Sequence, residues 1–220
     1  MNPLRGWLDS ELDQICDEIV RMGDMVKQAT LRAMEALADQ DVELAQQVVD
    51  QDEAVNQLRY EIEAQCFALL ATQHPVARDL RLVVTALNII TDLERIGDYA
   101  KGIGRIVVRT GGQELLMPTE KSMHMAQVGC DMLETVIDAF VEHDTEVAQR
   151  IFDMDDEVDH TYRSVFESVI QAMIGHEHGV RQGMYLLFAA HNLERIGDRV
   201  TNIAERVLFM QTGVLAEYNL

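Results

Sequence analysis

The chain has three prolines in 220 residues, 5% aromatic residues and three cysteines. In a sequence rich in Ala, Leu, Val, Ile, Met and Glu, so few prolines and aromatics exclude a β-sandwich or barrel. Those folds need many turns and β-branched runs, whereas this composition favours long helices. The cysteines, Cys16, Cys66 and Cys130, are far apart and odd in number, with no C-x-x-C pair. That pattern predicts buried thiols in a reducing compartment rather than a disulfide framework. Positive charge is scarce as well: 18 basic against 38 acidic residues give a net charge of −20 and a pI near 4.5. A surface this negative repels phosphate backbones and shows no basic patch, which excludes nucleic-acid binding, and it disfavours docking on anionic lipid by charge. It suits divalent cations or basic partner surfaces, or it serves only to keep a helical protein in solution. Long apolar runs are missing too. The longest uncharged stretch, between Glu63 and Arg78, contains Gln73, His74 and Pro75 and is too short and polar to span a membrane. Met1 to Asp13 carries Arg5, Asp9 and Glu11 and is not a signal peptide.

What remains is enough for a sizeable core: 48% hydrophobic and 25% charged residues, which excludes disorder over most of the chain. Punctuation is sparse and divides the sequence into six helical segments, predicted at 4–39, 41–72, 76–110, 119–142, 144–174 and 180–212. Pro3 opens the first. Asp41 and Asp144 are placed as N-caps, His74-Pro75, Gly111-Gly112 and Gly175 to Gly179 are breaks, Pro118-Thr119 opens the fourth, and Gly213 ends the sixth. Val48, Val55, Ile62 and Leu69, with Leu58 and Cys66 between them, make one seam; Leu193, Ile196, Val200, Ile203 and Val207 make another. Met34, Met132 and Met173 read as core filler and Trp7 as packing.

An internal repeat organises the whole chain. Asp-Leu-Glu-Arg-Ile-Gly-Asp at 92–98 returns as Asn-Leu-Glu-Arg-Ile-Gly-Asp at 192–198, six consecutive identities at an offset of 100. Upstream, Asp41, Glu43, Ala45, Gln46, Asp50, Asp52 and Val55 return as Asp144, Glu146, Ala148, Gln149, Asp153, Asp155 and Val158, at an offset of 103. The drop in offset predicts that the 72–80 connection is three residues longer than its counterpart near 175–180. The fold class expected is all-α: two tandem, pseudo-symmetric antiparallel three-helix bundles, 1–112 and 118–220.

The repeated motif carries the candidate chemistry. Leu193, Ile196 and Gly197 share an apolar stripe. Glu194 and Asp198, four apart, lie on another face and are expected to point well away from the core; Glu94 and Asp98 do the same in the first half. Asn202 and Glu205 continue the stripe in the second half, Gly102 and Arg105 in the first. Like charges at this spacing cost a few tenths of a kcal/mol. A mid-helix glycine, Gly97 or Gly197, costs about 1 kcal/mol relative to alanine. Both costs are incurred twice, at matched positions. The glycines make sense if another helix backbone comes close, and the carboxylate pairs if a cation sits between them. The second helix of each half offers a further pair, Asp52 with Asn56 and Asp155 with Asp159, which antiparallel packing can bring alongside. All-oxygen ligation suits Mg²⁺, Mn²⁺, Ca²⁺ or iron. The competing reading is a solvated acidic face bridged to Arg95 and Arg195.

Other candidates are weaker. Glu157-Val-Asp-His160 is a single E-x-x-H, and a di-iron carboxylate site needs two in a core. His176-Glu-His178 lacks metalloprotease spacing, and His191 reads as a surface or packed histidine rather than a ligand. No phosphate-binding glycine loop, nucleophile elbow or nucleophile–base pair is present, which predicts a protein that is not an enzyme.

At these residues the sequence resembles the PhoU family. The resemblance covers essentially the whole chain and rests on the doubled Glu-Arg-Ile-Gly-Asp, on Ala77-Arg-Asp-Leu-Arg81 and on Asn202-Ile-Ala-Glu205. It implies a cytoplasmic regulator of inorganic phosphate uptake and a negative regulator of the phosphate-starvation response. Such a protein is a homodimer that links the ATP-binding subunit of the phosphate ABC transporter to a phosphate-sensing histidine kinase. Some members bind metal clusters through E/D-x-x-x-D motifs. These carry over as Glu94 with Asp98, Glu194 with Asp198 and Asp155 with Asp159, and Asp52 with Asn56 is a partial match; Mg, Mn, Zn or Fe are the candidate metals. Gly102, where the second half has Asn202, is a departure that weakens the first-half site or leaves it a protein contact. Arg95, Arg195 and Asn202 are the candidate partner contacts. The rival readings are a metal-buffering helical protein, a plain helical scaffold, and a regulator of a different phosphate carrier.

Overall fold

The computed structural model describes residues 3–175 and 179–214. It contains six helices: α1 (Pro3–Asp39), α2 (Val42–Gln73), α3 (Arg78–Thr110), α4 (Glu120–Glu142), α5 (Thr145–Gly175) and α6 (Val180–Thr212). No strand occurs among the described residues. The caps explain the boundaries. The Asp41 carboxylate accepts the Leu44 N–H at 2.9 Å, and Asp144 accepts those of Glu146 and Val147 at 2.9 and 3.1 Å. Just before each cap the chain turns through a left-handed residue, Gln40 (φ 54°) and His143 (φ 61°). Gly111 and Gly213 close α3 and α6 in the same conformation, donating to the Val107 and Phe209 carbonyls. Within the fifth break, His176-Glu-His178 lies outside the described residues.

The predicted seams are buried throughout: Val48, Val55, Leu58, Ile62, Cys66 and Leu69 on α2, and Leu193, Ile196, Val200, Ile203 and Val207 on α6. Met34 and Met132 are fully buried and Met173 packs against the core. Trp7 departs from expectation. It is 45% exposed, although its neighbour Leu8 is buried.

The two connections expected to differ in length are both four residues long, 74–77 and 176–179. The three-residue change of offset lies inside the helices instead. α2 has 32 residues against 31 in α5. Glu94 is the seventeenth residue of α3, whereas Glu194 is the fifteenth of α6.

α1, α3, α6 and α4 form a ring of four packed helices; α2 lies over α1 and α3, and α5 over α4 and α6. α3 and α6 run antiparallel. Arg81 Nε donates to the Met210 carbonyl at 2.9 Å, Thr85 Oγ1 to the Arg206 carbonyl at 3.4 Å, and Arg199 Nη1 lies 3.4 Å from Asp92 Oδ1. This register sets the Glu-Arg-Ile-Gly-Asp motif of one helix beside its copy on the other, so a pseudo-two-fold axis passes between them. The axis is visible in contacts: Asp92 accepts a hydrogen bond from Asn202, and the equivalent pair, Asn192 and Gly102, also meet. A Cβ on Gly102 would stand 2.8 Å from Asn192 Nδ2, so any larger residue there would make the Asn192 amide shift. α1 and α4 are pinned by Lys27 Nζ to Glu134 Oε2 at 2.8 Å.

Candidate functional site

The acidic pairs do not point clear of the core. The Glu94 and Glu194 side chains are only 18% and 23% exposed, and Asp98 and Asp198 are half-buried. The reason is the layer outside them, since α2 and α5 pack over this flank of α3 and α6. The motif arginines cover what remains. Arg95 lies 3.6 Å from Glu94 and 3.1 Å from Asp98. Arg195 bridges Asp198 at 2.8 Å and donates to the Tyr99 hydroxyl across the axis. Arg105 is exposed and Glu205 half-buried one to two turns further on.

The mid-helix glycines have a different cause from the one expected. It is a carboxylate, not a helix backbone, that approaches them. A Cβ on Gly97 would stand 3.5 Å from Asp52 Oδ1, and one on Gly197 would stand 2.7 Å from Asp155 Oδ1. Gly197 therefore leaves room for the carboxylate that the neighbouring helix aims at the motif, whereas at Gly97 the contact with Asp52, like those with Val26 and Val55, is of ordinary length.

From there the two repeats part. In the first, Asp52 is 3% exposed at its side chain, and its Oδ2 receives the Lys101 ammonium at 2.5 Å and the Asn56 amide at 3.1 Å. Lys101 was missed by sequence reasoning. Its signal was the α2–α3 register, which sets it one turn beyond Gly97, facing Asp52. In the second repeat the counterpart of Lys101 is Thr201, whose hydroxyl donates to the Asp198 carbonyl. Asp155 there is pushed up to about 7 by burial first and then by the negative charges of Asp159, Asp198, Asp156 and Glu194. Glu194 is also raised, by burial first and then by Asp198. Its Oε2 is buried without a hydrogen-bond partner; His191 Nδ1 is 3.2 Å away but poorly aligned. Tyr162, beside the His191 ring, borders the same cluster. Asp159 is 3.7 Å from the exposed Arg163.

The first-half set does not fit a metal ion, because an ammonium already fills the cation's place. The second-half set fits one in its chemistry: four carboxylates, an orphaned oxygen, and a carboxyl whose pKa is raised to about 7 by burial first and then by its acidic neighbours. Among the described residues no three His, Cys, Asp or Glu side chains already converge tightly enough to hold an ion. Glu157 and His160 are exposed on α5 rather than turned into the core, and Glu157 pairs with His124 at 2.8 Å. His191 is a surface residue of α6. Asn202 is engaged with Asp92 across the axis. Burial pushes Cys16 up to about 11 and Cys66 and Cys130 to about 12, so these thiols are poor nucleophiles. No described helix is long and apolar enough to cross a membrane.

Fold and site together define an all-helical tandem-repeat protein with a duplicated acidic–arginine motif at its internal axis. A family model described as the PhoU domain matches twice, over residues 19–107 and 123–207. A Caulobacter vibrioides protein named phosphate-specific transport system accessory protein PhoU homolog is 38% identical over 204 residues, 92% of this chain and 89% of its own. The phosphate-specific transport system accessory protein PhoU of Escherichia coli is 34% identical over 214 residues, 96% of this chain and 87% of its own. The crystal structure of the phosphate transport system regulatory protein PhoU from Streptococcus pneumoniae superposes with a TM-score of 0.88 at 30% identity, covering 96% of this chain and 99% of that one. PhoU from Pseudomonas aeruginosa matches equally well, with 94% and 99% coverage. The chain belongs to the PhoU family.

Proposed function

We propose that the protein is an accessory regulator of inorganic phosphate uptake that restrains the phosphate-starvation response when phosphate is plentiful. It acts as an adaptor, not an enzyme, between the ATP-binding subunit of a phosphate ABC transporter and a phosphate-sensing histidine kinase. The observation that carries this reading is kinship along nearly the whole chain with proteins named as accessory to phosphate-specific transport. A net charge of −20 favours docking on basic partner surfaces. Arg95, more than half exposed between Glu94 and Asp98, is the motif residue most open to a partner in the first repeat.

Cation binding belongs to the second repeat. Asp155, Asp159, Glu194 and Asp198 would hold a hard divalent ion such as Mg²⁺ or Mn²⁺, which would relieve the repulsion that, after burial, raises Asp155. In the first repeat Lys101 does that work.

The test is alkaline phosphatase activity in phosphate-rich medium in a strain lacking the protein. Complementation uses the wild type or a variant with Glu94, Asp98, Glu194 and Asp198 all changed to alanine. High activity without the protein, lowered only by the wild type, supports the regulator and places its working surface on the acidic pairs. Rescue by both keeps the regulator and demotes those carboxylates. Low activity in the strain without the protein overturns the reading.

A further inference from the structure

Between α1 and α2 the first repeat holds a cavity of about 430 Å³, the size of a small-molecule site. Met25, Ala29, Val48 and Val55 form its apolar walls, and Asp52 and Gly97 lie at its floor. Both bonds to Asp52, from Lys101 and Asn56, fall on Oδ2. Oδ1, on the Gly97 side, accepts none although the side chain is almost wholly buried. Oδ1 is not one of the buried atoms left without a partner, so it meets solvent through the cavity, where a ligand N–H or O–H would take the place of water.

The second repeat carries larger side chains at several of the corresponding positions. Residues of α1 and α2 correspond to those of α4 and α5 at an offset of 103, so the counterpart of Ala29 is Met132 and that of Val48 is Ile151, both fully buried. At the mouth, the counterparts of Arg21 and Ala54 are His124 and Glu157, which latch α4 to α5 at 2.8 Å. In the first repeat Ala54 has no side chain with which to reach Arg21. Ala29, Val48 and Ala54 thus stand where the second repeat carries the larger Met132, Ile151 and Glu157, although Met25 stands where it carries the smaller Val128.

We propose that this cavity is a binding site for a small, largely apolar molecule that carries an N–H or O–H donor and no negative charge. The walls bury the apolar body, and Asp52 Oδ1 accepts the donor. Lys101 already neutralises the carboxylate, so the ligand needs no charge of its own. Asp24 in the lining and the protein's net charge of −20 disfavour anions. The site stands apart from the cation cluster of the second repeat and does not depend on the phosphate reading.

The probes are indole, 1-methylindole and indole-3-acetate, titrated into the full chain while methyl NMR signals of Met25, Ala29, Val48 and Val55 are followed. Indole is expected to shift them saturably. 1-Methylindole, lacking the donor, is expected to bind about tenfold more weakly, and indole-3-acetate not to saturate. Ala29→Met, which copies Met132, and Ala54→Glu, which supplies a partner for Arg21, should each weaken indole at least about tenfold. Ala54 is exposed, so that variant keeps the test alive if Ala29→Met perturbs the core. No saturable shift at these methyls, equal binding of indole and 1-methylindole, or binding unchanged in Ala54→Glu would overturn the proposal.

Discussion

Lys101 and Thr201 occupy the same position in the two repeats, and only Lys101 carries a charge. Its ammonium lies against the buried carboxylate of Asp52, whereas Asp155, the counterpart of Asp52, faces four other carboxylates. Two differences, Lys101 for Thr201 and Asn56 for Asp159, separate a closed ion pair from an acidic cluster.

The first consequence concerns stability. Lys101→Met strands Asp52 in the interior, and breaking a buried pair costs about 3 kcal/mol. Urea unfolding should show that loss. The double variant Lys101→Met, Asp52→Asn should recover most of it, because no buried charge is then left alone.

Asp155 sets a dependence on pH. Its ordinary value is 3.8 and its folded value about 7. Below about pH 4 both states hold the proton. Between there and pH 7 the unfolded chain releases it more readily, so stability falls as pH rises through that window. Asp155→Asn should flatten the slope and, at pH 8, exceed the wild type by about 1 kcal/mol, a figure discounted because the side chain is partly open to solvent. Equal slopes in thermal melts from pH 4 to 8 would refute this.

The two glycines should respond differently to alanine. At Gly97 the added methyl meets ordinary contacts at 3.5 Å, and removing the helix penalty should leave stability unchanged or raise it by up to about 1 kcal/mol. At Gly197 the methyl would stand 2.7 Å from Asp155 Oδ1, and the carboxylate must swing outward. Carboxyl-carbon NMR should then show Asp155 titrating closer to its ordinary value in Gly197→Ala, with the helices intact.

Ala77, just before α3, has φ 49° and ψ −111°, a conformation that costs an alanine of order 1 kcal/mol and a glycine little. Ala77→Gly should stabilise the chain by about that amount in chemical denaturation.

Much of this architecture is legible in the sequence because it follows from local rules. Asp41 and Asp144 announce helix starts, the seams of α2 and α6 repeat at three and four residues, and the doubled motif fixes the symmetry. The features that escape are those set by neighbours. Glu94 and Glu194 lie on the flank of their helices, and the helical wheel cannot tell that α2 and α5 cover it. Lys101 reads as one more surface lysine until the register of α2 against α3 puts it beside Asp52. Gly102 reads as a weakened motif until Asn192 is seen to fill the space that glycine leaves. The convergence of Asp155 with Glu194 and Asp198 was anticipated from spacing, but its lack of a compensating lysine was not.

The pairs across the axis show what a single covalent chain makes available. Asp92 meets Arg199 and Asn202, while their counterparts are Asn192 with Tyr99 and Gly102. Two identical subunits of a three-helix unit would be bound to place the same side chain on both sides of the axis. Any mutation would then strike twice, doubling its damage as well as its benefit. Joined end to end, the copies are inherited as separate texts, so one can keep a plug such as Lys101 while the other keeps an uncompensated cluster of carboxylates.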